Sequence, residues 1–322
     1  MGPRTGPRDT TGGERVQIGQ LGSAVSELSQ LLSQAIVVPF RRRTPARPPR
    51  RPAILPGHDG PRPGGLRGKG TLLLAAGTLT DDQVVNLIHH VGGRQVRVAV
   101  LPVAAYTFEV AGERYRRPLE RYGMDKLETL ALSTRAQAED TQTAGRVSQA
   151  RLVVLGGGDA ALLLDRLAGT AVMGALAGAL AGGATVCALA ACAEAVGEHV
   201  LVVGEGGDAG PHLEPGLNLL PGTAVVAGRR IAGRLASVFA TALTANVRLL
   251  VLDERATLLV GAGGQAEVRS GTVLVVTRPT SQGDGPPTLG EVVTRVVPAG
   301  WRLDLSSGAV LPPGAAHGPR RP

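Results

Sequence analysis

The sequence has 322 residues, of which 43% are hydrophobic but only 2% aromatic, so a chain of this length has to bury an aliphatic core. Its net charge of +8 is unevenly placed: residues 1–69 carry 12 Lys and Arg against 4 Asp and Glu, whereas residues 70–322 carry 22 of each. Two cysteines exclude a disulfide framework, and no apolar run reaches the roughly 18 residues that span a bilayer. We therefore expect a cytoplasmic globular domain with no transmembrane segment, preceded by a basic arm.

Residues 1–69 are predicted to form a disordered arm rich in Pro and Arg. A short amphipathic helix is predicted between Val16 and Val38, where apolar residues recur at helical spacing. Three consecutive arginines, Arg41 to Arg43, then begin a stretch rich in Pro and Arg that cannot form a packed core. This pattern favours a solvated linker, or upstream sequence included by a misassigned start codon. Weak polyanion binding by residues 41–69 is the alternative, since clustered cations attract phosphate, although no aromatic residues are interleaved for stacking.

From Thr71 onward, strand and helix patterns alternate. This rhythm, with strands rich in Val, Leu and Ala, predicts an α/β domain over residues 70–305, with a mainly parallel sheet flanked by helices. After Arg248 short strands separated by turn residues predict a small β-rich C-terminal extension, and residues 306–322 are predicted to be a disordered tail. The predicted strands are 71–76, 96–102, 127–131, 151–155, 184–188, 223–227, 248–253, 256–260, 265–269, 272–277 and 291–297. The predicted helices are 81–91, 108–122, 136–148, 160–181 with a break near Gly169, and 231–245.

The segment from Ala184 to Glu194 has the pattern of a buried strand that turns sharply into a helix. Small residues fill the turn, among them Ala191 and Cys192. In α/β hydrolytic folds such a strand-turn-helix is the nucleophile elbow, where a Ser or Cys at a strained apex needs small neighbours. The apex here falls at Ala190, which has neither a hydroxyl nor a thiol. The sequence therefore predicts the backbone of an elbow without its nucleophile.

A second turn, Gly156-Gly157-Gly158-Asp159, follows a predicted strand and opens a helix. In that context backbone N–H groups can meet an anion or a substrate carboxylate. The pattern is not Gly-x-Gly-x-x-Gly, and no acidic residue follows at the distance that would hold a ribose, so a dinucleotide site is not favoured. A turn that lines a pocket is the favoured interpretation, and a purely structural turn is the alternative.

Other candidates for chemistry are few. Neither His199 nor His212 has a partner at metal-ligand spacing, so we predict no metal and no cofactor. Cys187 and Cys192 fit best as small core residues, with a displaced thiol nucleophile at Cys192 as the alternative.

Taken in order, these segments resemble the cyanophycinase and dipeptidase E family of serine peptidases, which has a class I glutamine-amidotransferase-like fold. The resemblance covers about residues 70–305 and depends on the order and spacing of several short segments. These include Leu101-Pro-Val-Ala-Ala105, Gly157-Gly158-Asp159, Gly182-Gly183-Ala184, Gly216-Leu-Asn-Leu-Leu-Pro-Gly222, Gly233-Arg234-Leu235, Leu252-Asp253-Glu254, Gly271-Thr272-Val273 and Val297-Pro-Ala-Gly300.

The resemblance implies a catalytic Ser at the elbow, a Gln after Gly-Gly-Asp, a His in an Asp-Gln-His-Phe segment, an acidic partner and a substrate-holding Arg. Position by position, the Ser is replaced by Ala190, the Gln by Ala160 and the His segment by residues 226–229. The positions that match the family pattern are the candidate ligand-binding residues Gly157, Gly158, Asp159, Arg234 and Glu254. We expect Asp159, Arg234 and Glu254 to converge on one crevice at the C-terminal edge of the sheet.

Without a nucleophile and a base, the triad mechanism cannot operate. We therefore interpret the chain as a catalytically degenerate family member that binds a small amino-acid or dipeptide ligand, or a partner. The resemblance also implies a homodimer, because members of the family are dimeric. One alternative is an active hydrolase of aspartyl or β-aspartyl-arginine peptides with Cys192, Ser237 or Thr223 as a substitute nucleophile. Another is a scaffold that its basic arm tethers to polyanions. For the crevice itself, the alternative to a ligand site is an internal salt bridge between Arg234 and Glu254.

Overall fold

The computed structural model describes residues 66, 68–203, 211–228, 231–278 and 292–314. The predicted helix at 16–38 and nearly all of the basic stretch lie outside the described residues. Among the described residues, no single helix is long and apolar enough to cross a membrane, although one bent pair of helices meets such a criterion by length and composition.

The predicted alternation of strands and helices is present along the chain. The strands are β1 Thr71–Ala75, β2 Val98–Ala104, β3 Leu127–Thr129, β4 Leu152–Gly157, β5 Thr185–Leu189, β6 Gly197–Val202, β7 His212–Pro215, β8 Leu220–Ala227, β9 Arg248–Leu252, β10 Thr257–Val260, β11 Gln265–Ser270, β12 Thr272–Thr277, β13 Val293–Pro298, β14 Arg302–Asp304 and β15 Val310–Leu311. The helices are α1 Asp81–His90, α2 Phe108–Arg121, α3 Arg135–Ala138, α4 Thr141–Ser148, α5 Ala160–Leu167, α6 Ala171–Gly182, α7 Ala191–Ala195 and α8 Ile231–Thr244.

The described strands form two sheets. The first sheet has the order β15-β14-β11-β10-β1-β5-β4-β2-β3. Its five neighbouring strands β1, β5, β4, β2 and β3 are parallel. The second has the order β13-β12-β9-β8-β6-β7, with β6, β8 and β9 parallel. The predicted α/β fold class is confirmed, as a mixed sheet with flanking helices. The predicted β-rich C-terminal strands are present, and they extend both sheets with antiparallel partners.

Three groups of buried side chains hold these layers together. Helices α1 and α2 cover one face of the first sheet through residues such as Leu87 and Tyr115. The largest group combines the other face of that sheet, the inner face of the second sheet and helices α5 to α7, with Leu163 and Leu176 fully buried. Helix α8 covers the outer face of the second sheet through Leu235. Because helices or the other sheet cover both faces of the central parallel strands, those strands read as continuous apolar runs.

Two predicted helices divide where side chains cap the backbone. The predicted helix at 136–148 is two helices, because Thr134 caps α3 and Asp140 caps α4 by accepting the N–H of Thr143 at 2.8 Å. The predicted break near Gly169 is present: Gly169 has a φ of 73°, and α5 and α6 meet at a bend of 99°. Strands β6 and β7 were not predicted, since residues 197–215 lack a long apolar run.

Both predicted ends of the domain need correction. Leu66 is buried and bridges Ala262, so the packed domain begins before residue 70. At the other end, the predicted disordered tail contains β15, which pairs with β14. The chain can reverse there because Asp304 accepts the backbone N–H of Ser306 at 2.8 Å.

Candidate ligand-binding site

The turn between β5 and α7 has the geometry of an elbow. Strand β5 lies in the centre of the first sheet between β1 and β4, and the chain reverses at Ala190 with φ 53° and ψ −126°. A side-chain-bearing residue in this region is strained by about 1–3 kcal/mol. The N–H of Ala190 donates to the carbonyl of Ala75 at 2.9 Å, at the end of β1. The strained backbone of an elbow is therefore present, with a methyl group at its apex.

The neighbouring turn after β4 is closed by its own hydrogen bonds. The N–H of Gly157 donates to the hydroxyl of Tyr115 at 2.9 Å, and the N–H groups of Gly158 and Asp159 both donate to the carbonyl of Ala104. These donors are therefore not directed at a ligand. Gly157 has a φ of 135°, and a Cβ atom there would lie 2.3 Å from the carbonyl carbon of Ala104. The glycine is required because two backbones approach closely.

A cavity of about 900 Å³ opens beside these two turns. The loop after β2, the start of α5, the start of α7 and the end of β6 form its walls. Among the described lining residues, the charged groups are the carboxylates of Asp159, Glu194 and Glu214. The lining residues include Ala105, Tyr106, Thr107, Gly158, Asp159, Ala160, Ala191, Glu194, Leu201, Val203 and Glu214.

Arg234 makes an ion pair, but with Glu194 rather than Glu254. Its Nη1 lies 2.5 Å from Oε1 of Glu194, and its Nη2 donates to the carbonyl of Leu201 at 3.1 Å. The same Glu194 oxygen accepts the N–H of Ala227 at 3.0 Å. The side chains of Arg234 and Glu194 are only 24% and 12% exposed, so this group fastens α7 to the second sheet and to α8.

Asp159 lies at the edge of the cavity as the N-cap of α5. Its Oδ1 accepts the N–H of Leu162 at 3.1 Å, and its Oδ2 accepts the hydroxyl of Tyr106 at 2.9 Å. The Leu162 N–H, together with the Tyr106 hydroxyl, holds the pKa of this carboxyl below its usual value, so Asp159 is a carboxylate at neutral pH. The ring of Tyr106 is 75% exposed and forms part of the cavity wall.

Behind this wall, Arg166 links α5 to the loop after β2. Its Nη1 donates to the carbonyls of Val103 and Ala105, each at 2.8 Å, and its guanidinium lies 4.8 Å from the ring centroid of Phe108. Because Arg166 is only 9% exposed, we assign it to positioning this loop rather than to ligand contact.

The structure brings together only some of the predicted site residues. Gly158 and Asp159 line the cavity, and Arg234 reaches it indirectly through Glu194. Glu254 is exposed in the turn after β9 and does not line this cavity. The predicted convergence of Asp159, Arg234 and Glu254 on one crevice is therefore wrong for Glu254.

The positions at which a base would be expected lie at the end of β8. Val226 is fully buried, Ala227 donates its N–H to Glu194, and Gly228 has a φ of 112°. Position 229 lies outside the described residues. In the part of the chain that the structure describes, no group of three or more His, Cys, Asp or Glu residues is arranged to hold a metal ion.

The substitute nucleophiles that the sequence suggested have unfavourable surroundings. Cys192 is fully buried, and burial raises the pKa of its thiol far above the ordinary value, which suppresses the reactive thiolate. Thr223 is also fully buried, and its hydroxyl donates to the carbonyl of Leu220 at 2.7 Å. Ser237 lies on α8, which packs on the outer face of the second sheet.

Sequence reasoning did not single out Glu194, Tyr106 or Arg166. A signal existed for two of them: Glu194 is an acidic residue four positions after the apex in a helix of small residues, and Arg166 interrupts a helix rich in Leu. Charged residues in apolar helices usually have a partner. Their partners lie 40 and about 60 residues away in sequence, so only the fold identifies them.

Parallel strands covered on both faces, with a sharp elbow at the end of the central strand β5, define an α/β fold of the hydrolase type. The family model described as "Peptidase family S51" matches residues 72–260, more than half of the sequence, and the chain belongs to that family. The predicted resemblance is thereby confirmed.

Individual relatives agree with this assignment. Cyanophycinases of Trichormus variabilis and of a Nostoc species are each 29% identical over 135 residues, which is 40% of this chain and 45% of theirs. The chain thus matches about half the length of these curated relatives. The crystal structure of a peptidase from an acI-B1 actinobacterium has a TM-score of 0.57 and 16% identity, covering 74% of this chain and 98% of that one, which shows a common fold.

Proposed function

We propose that this chain is a non-hydrolytic member of peptidase family S51 whose cavity binds a cationic, amino-acid-like ligand. The observation that carries the proposal is Ala190, which occupies the strained apex of the elbow with a methyl group. Acyl transfer on this architecture needs a nucleophile, a base that takes its proton and a group that orients the base. A methyl group cannot act as the nucleophile.

Three further observations support the absence of hydrolysis. The described positions at the end of β8 carry no imidazole. Glu254, the expected orienting acid, lies in the turn after β9 and is exposed. Cys192 and Thr223 are fully buried, so neither presents a nucleophile to the cavity.

The charge of the cavity favours a cation. Asp159 and Glu214 contribute carboxylates to its described walls, whereas the charge of Glu194 is balanced by Arg234, which also donates to the carbonyl of Leu201. Arg234, which the resemblance implies as a substrate-holding residue, is thus engaged within the protein, and the carboxylates of the wall suit a cationic ligand instead. Carboxylates bind ammonium and guanidinium groups through charge-assisted hydrogen bonds, and the exposed ring of Tyr106 offers a face for cation–π contact.

This polarity suits arginine and related amines. The resemblance to cyanophycinases implies β-aspartyl-arginine units as the substrate class, and the arginine side chain would be the part that suits an acidic cavity. The match covers only about half of each relative's length, so the relatives alone do not assign this ligand class. The proposal depends instead on the carboxylates that line the cavity of this chain.

The first experiment tests the absence of hydrolysis. Purified protein is incubated with cyanophycin and with β-aspartyl-arginine, and released dipeptide or arginine is quantified against a buffer control. We expect no release from wild type or from Ala190→Ser, since the base is missing as well. Turnover that Cys192→Ala abolishes would contradict the proposal and establish a thiol mechanism.

The second experiment tests the ligand. Calorimetric titrations with arginine, agmatine and aspartate distinguish recognition of the guanidinium from recognition of the α-carboxylate, because agmatine lacks that carboxylate. We expect arginine and agmatine to bind and aspartate not to bind. Glu214→Gln should weaken binding, whereas Glu128→Gln, an exposed acid in a surface ion pair with Arg146, should not. Tighter binding of aspartate than of agmatine would contradict the proposed polarity.

A further inference from the structure

A second group of charged side chains lies away from the cavity, at the opposite end of β9. Strand β9 ends at Leu252 on the cavity side and begins with Arg248. Leu250 belongs to the core between the two sheets, and Arg248 lies two residues before it, so both side chains start on the same face. Arg295 likewise lies two residues before Val297, which belongs to the same core. Both arginines therefore start on the face of the second sheet that meets the first sheet.

The turn after β14 lies against these two arginines. A Cβ atom added to Gly308 would lie 3.8 Å from Nη1 of Arg295. Asp304, at the end of β14 where the turn begins, attracts the guanidinium of Arg248, and the guanidinium of Arg295 repels it. Burial lowers the pKa of Arg248; the attraction of Asp304 partly offsets this effect, and the weaker repulsion from Arg295 adds to it.

Asp304 does not satisfy the hydrogen bonds of Arg248. Its Oδ1 accepts the N–H and the hydroxyl of Ser306 at 2.8 and 2.5 Å, and the N–H of Ser307 at 3.4 Å. Within the described part of the chain, no carboxylate lies within ion-pair distance of Arg248 or Arg295. The group therefore has two cations against one carboxylate, and that carboxylate is committed to its own turn.

Two buried donors near Asp304 have no acceptor among the residues that the structure describes. Nε of Arg248 is buried without a hydrogen-bond partner, and the same holds for Nε2 of Gln265. Gln265 lies directly opposite Asp304 in the pairing of β11 with β14, so the two side chains share a face of the sheet. An unsatisfied buried donor is costly, and natural proteins rarely leave two of them around one carboxylate.

We propose that Arg248, Arg295 and Gln265 form a binding site for a small oxyanion between the two sheets, separate from the cavity beside the elbow. A phosphate or carboxylate there would accept from the unpartnered donors and balance the excess positive charge. Guanidinium groups suit such ligands because their planar N–H groups match the oxygens of phosphate and carboxylate in pairs. The bound anion would join the β14–β15 turn of the first sheet to β9 and β13 of the second.

The test is thermal unfolding of the full chain in increasing inorganic phosphate, with ionic strength held constant by sodium chloride. We expect a saturable rise in Tm of about 2–4 °C when phosphate exceeds its Kd about fivefold. Malonate in place of phosphate distinguishes a site for tetrahedral oxyanions from one that also accepts dicarboxylates. Arg248→Met and Arg295→Met should each abolish the rise.

Arg269→Met is the matched control, because Arg269 is half-exposed and pairs with Glu267 at 3.1 Å; it should keep the rise. A rise that persists in both Arg248→Met and Arg295→Met would place the phosphate elsewhere, for example on the basic N-terminal residues, and overturn the proposal. Calorimetry on wild type decides even if Arg248→Met fails to fold. No saturable heat up to about 20 mM phosphate would overturn the site.

Discussion

Two turns at the ends of neighbouring strands differ in what holds their backbone. At Gly157 the close approach of Ala104 leaves no room for a side chain, and the N–H groups of three successive residues are bonded within the protein. At Ala190 the backbone is equally unusual, yet the residue carries a Cβ atom in a conformation that L-residues rarely adopt. Packing alone therefore explains the glycine turn. The elbow keeps a strained conformation, and its methyl group supplies no chemistry that would account for the strain.

The largest effect is expected at the glycine turn. Gly157→Ala should destabilise the fold by about 3 kcal/mol or more, because the added Cβ would clash with Ala104 at a φ that favours glycine. Gly158→Ala is the control: its added methyl would meet nothing within 4 Å, so a change below about 1 kcal/mol is expected. Urea denaturation measures both. Equal effects of the two substitutions would show that the close approach does not govern this turn.

The next effect concerns the ion pair that fastens the helix after the elbow. Arg234→Met should destabilise the protein by about 2–3 kcal/mol, because it leaves Glu194 largely buried without its cation. Arg146→Met removes the cation from an ion pair with Glu128 whose side chains are about half-exposed, and should change stability by less than about 1 kcal/mol. Similar losses in both variants would contradict the structural role of the Arg234–Glu194 pair. The double variant Arg234→Met, Glu194→Gln should lose less than the sum of the two single variants.

A smaller effect of opposite sign is expected at the apex. Ala190→Gly should stabilise the protein by about 1 kcal/mol, since relief of strain at φ 53° exceeds the added entropy of the unfolded chain. Ala191→Gly, at the first position of α7, should instead destabilise it by up to about 1 kcal/mol. Equal destabilisation in both variants would mean that the apex is not strained.

The smallest effect is a pH dependence at the end of the glycine turn. The pKa of Asp159 is lowered by the Leu162 N–H and, further, by the Tyr106 hydroxyl, so its carboxylate stabilises the fold above the ordinary carboxyl pKa. That contribution is lost as pH falls through the lowered value. In Asp159→Asn the fall of Tm between pH about 5 and about 2 should be less steep than in wild type. Parallel curves for the two proteins would contradict this role of the carboxylate.

Much of the fold could be predicted from the sequence. The parallel strands are covered on both faces and are therefore continuous apolar runs, and the break between α5 and α6 carries Gly169. The elbow could also be located, because such a sharp turn requires small neighbouring residues and the sequence shows a run of them at 190–193. The ion pair of Arg234 could not, because Glu194 lies 40 residues away and becomes its neighbour only when β6, β8 and α8 are assembled. The closed hydrogen bonds of the Gly157 turn were equally hidden, because the sequence does not show that Tyr115 and Ala104 supply the acceptors. The homodimer and the binding of polyanions by residues 41–69 stay predictions.

One measurement tests the central claim that the cavity binds without hydrolysing. In an NMR titration of β-aspartyl-arginine with the protein, arginine side-chain resonances should broaden or shift in a saturable manner while the peptide stays intact over days. The same titration with Asp159→Asn, Glu214→Gln should show much weaker binding, since both described cavity carboxylates other than the Arg234-paired Glu194 are then neutral. Appearance of free arginine and aspartate, at a rate proportional to the protein concentration, would contradict the account.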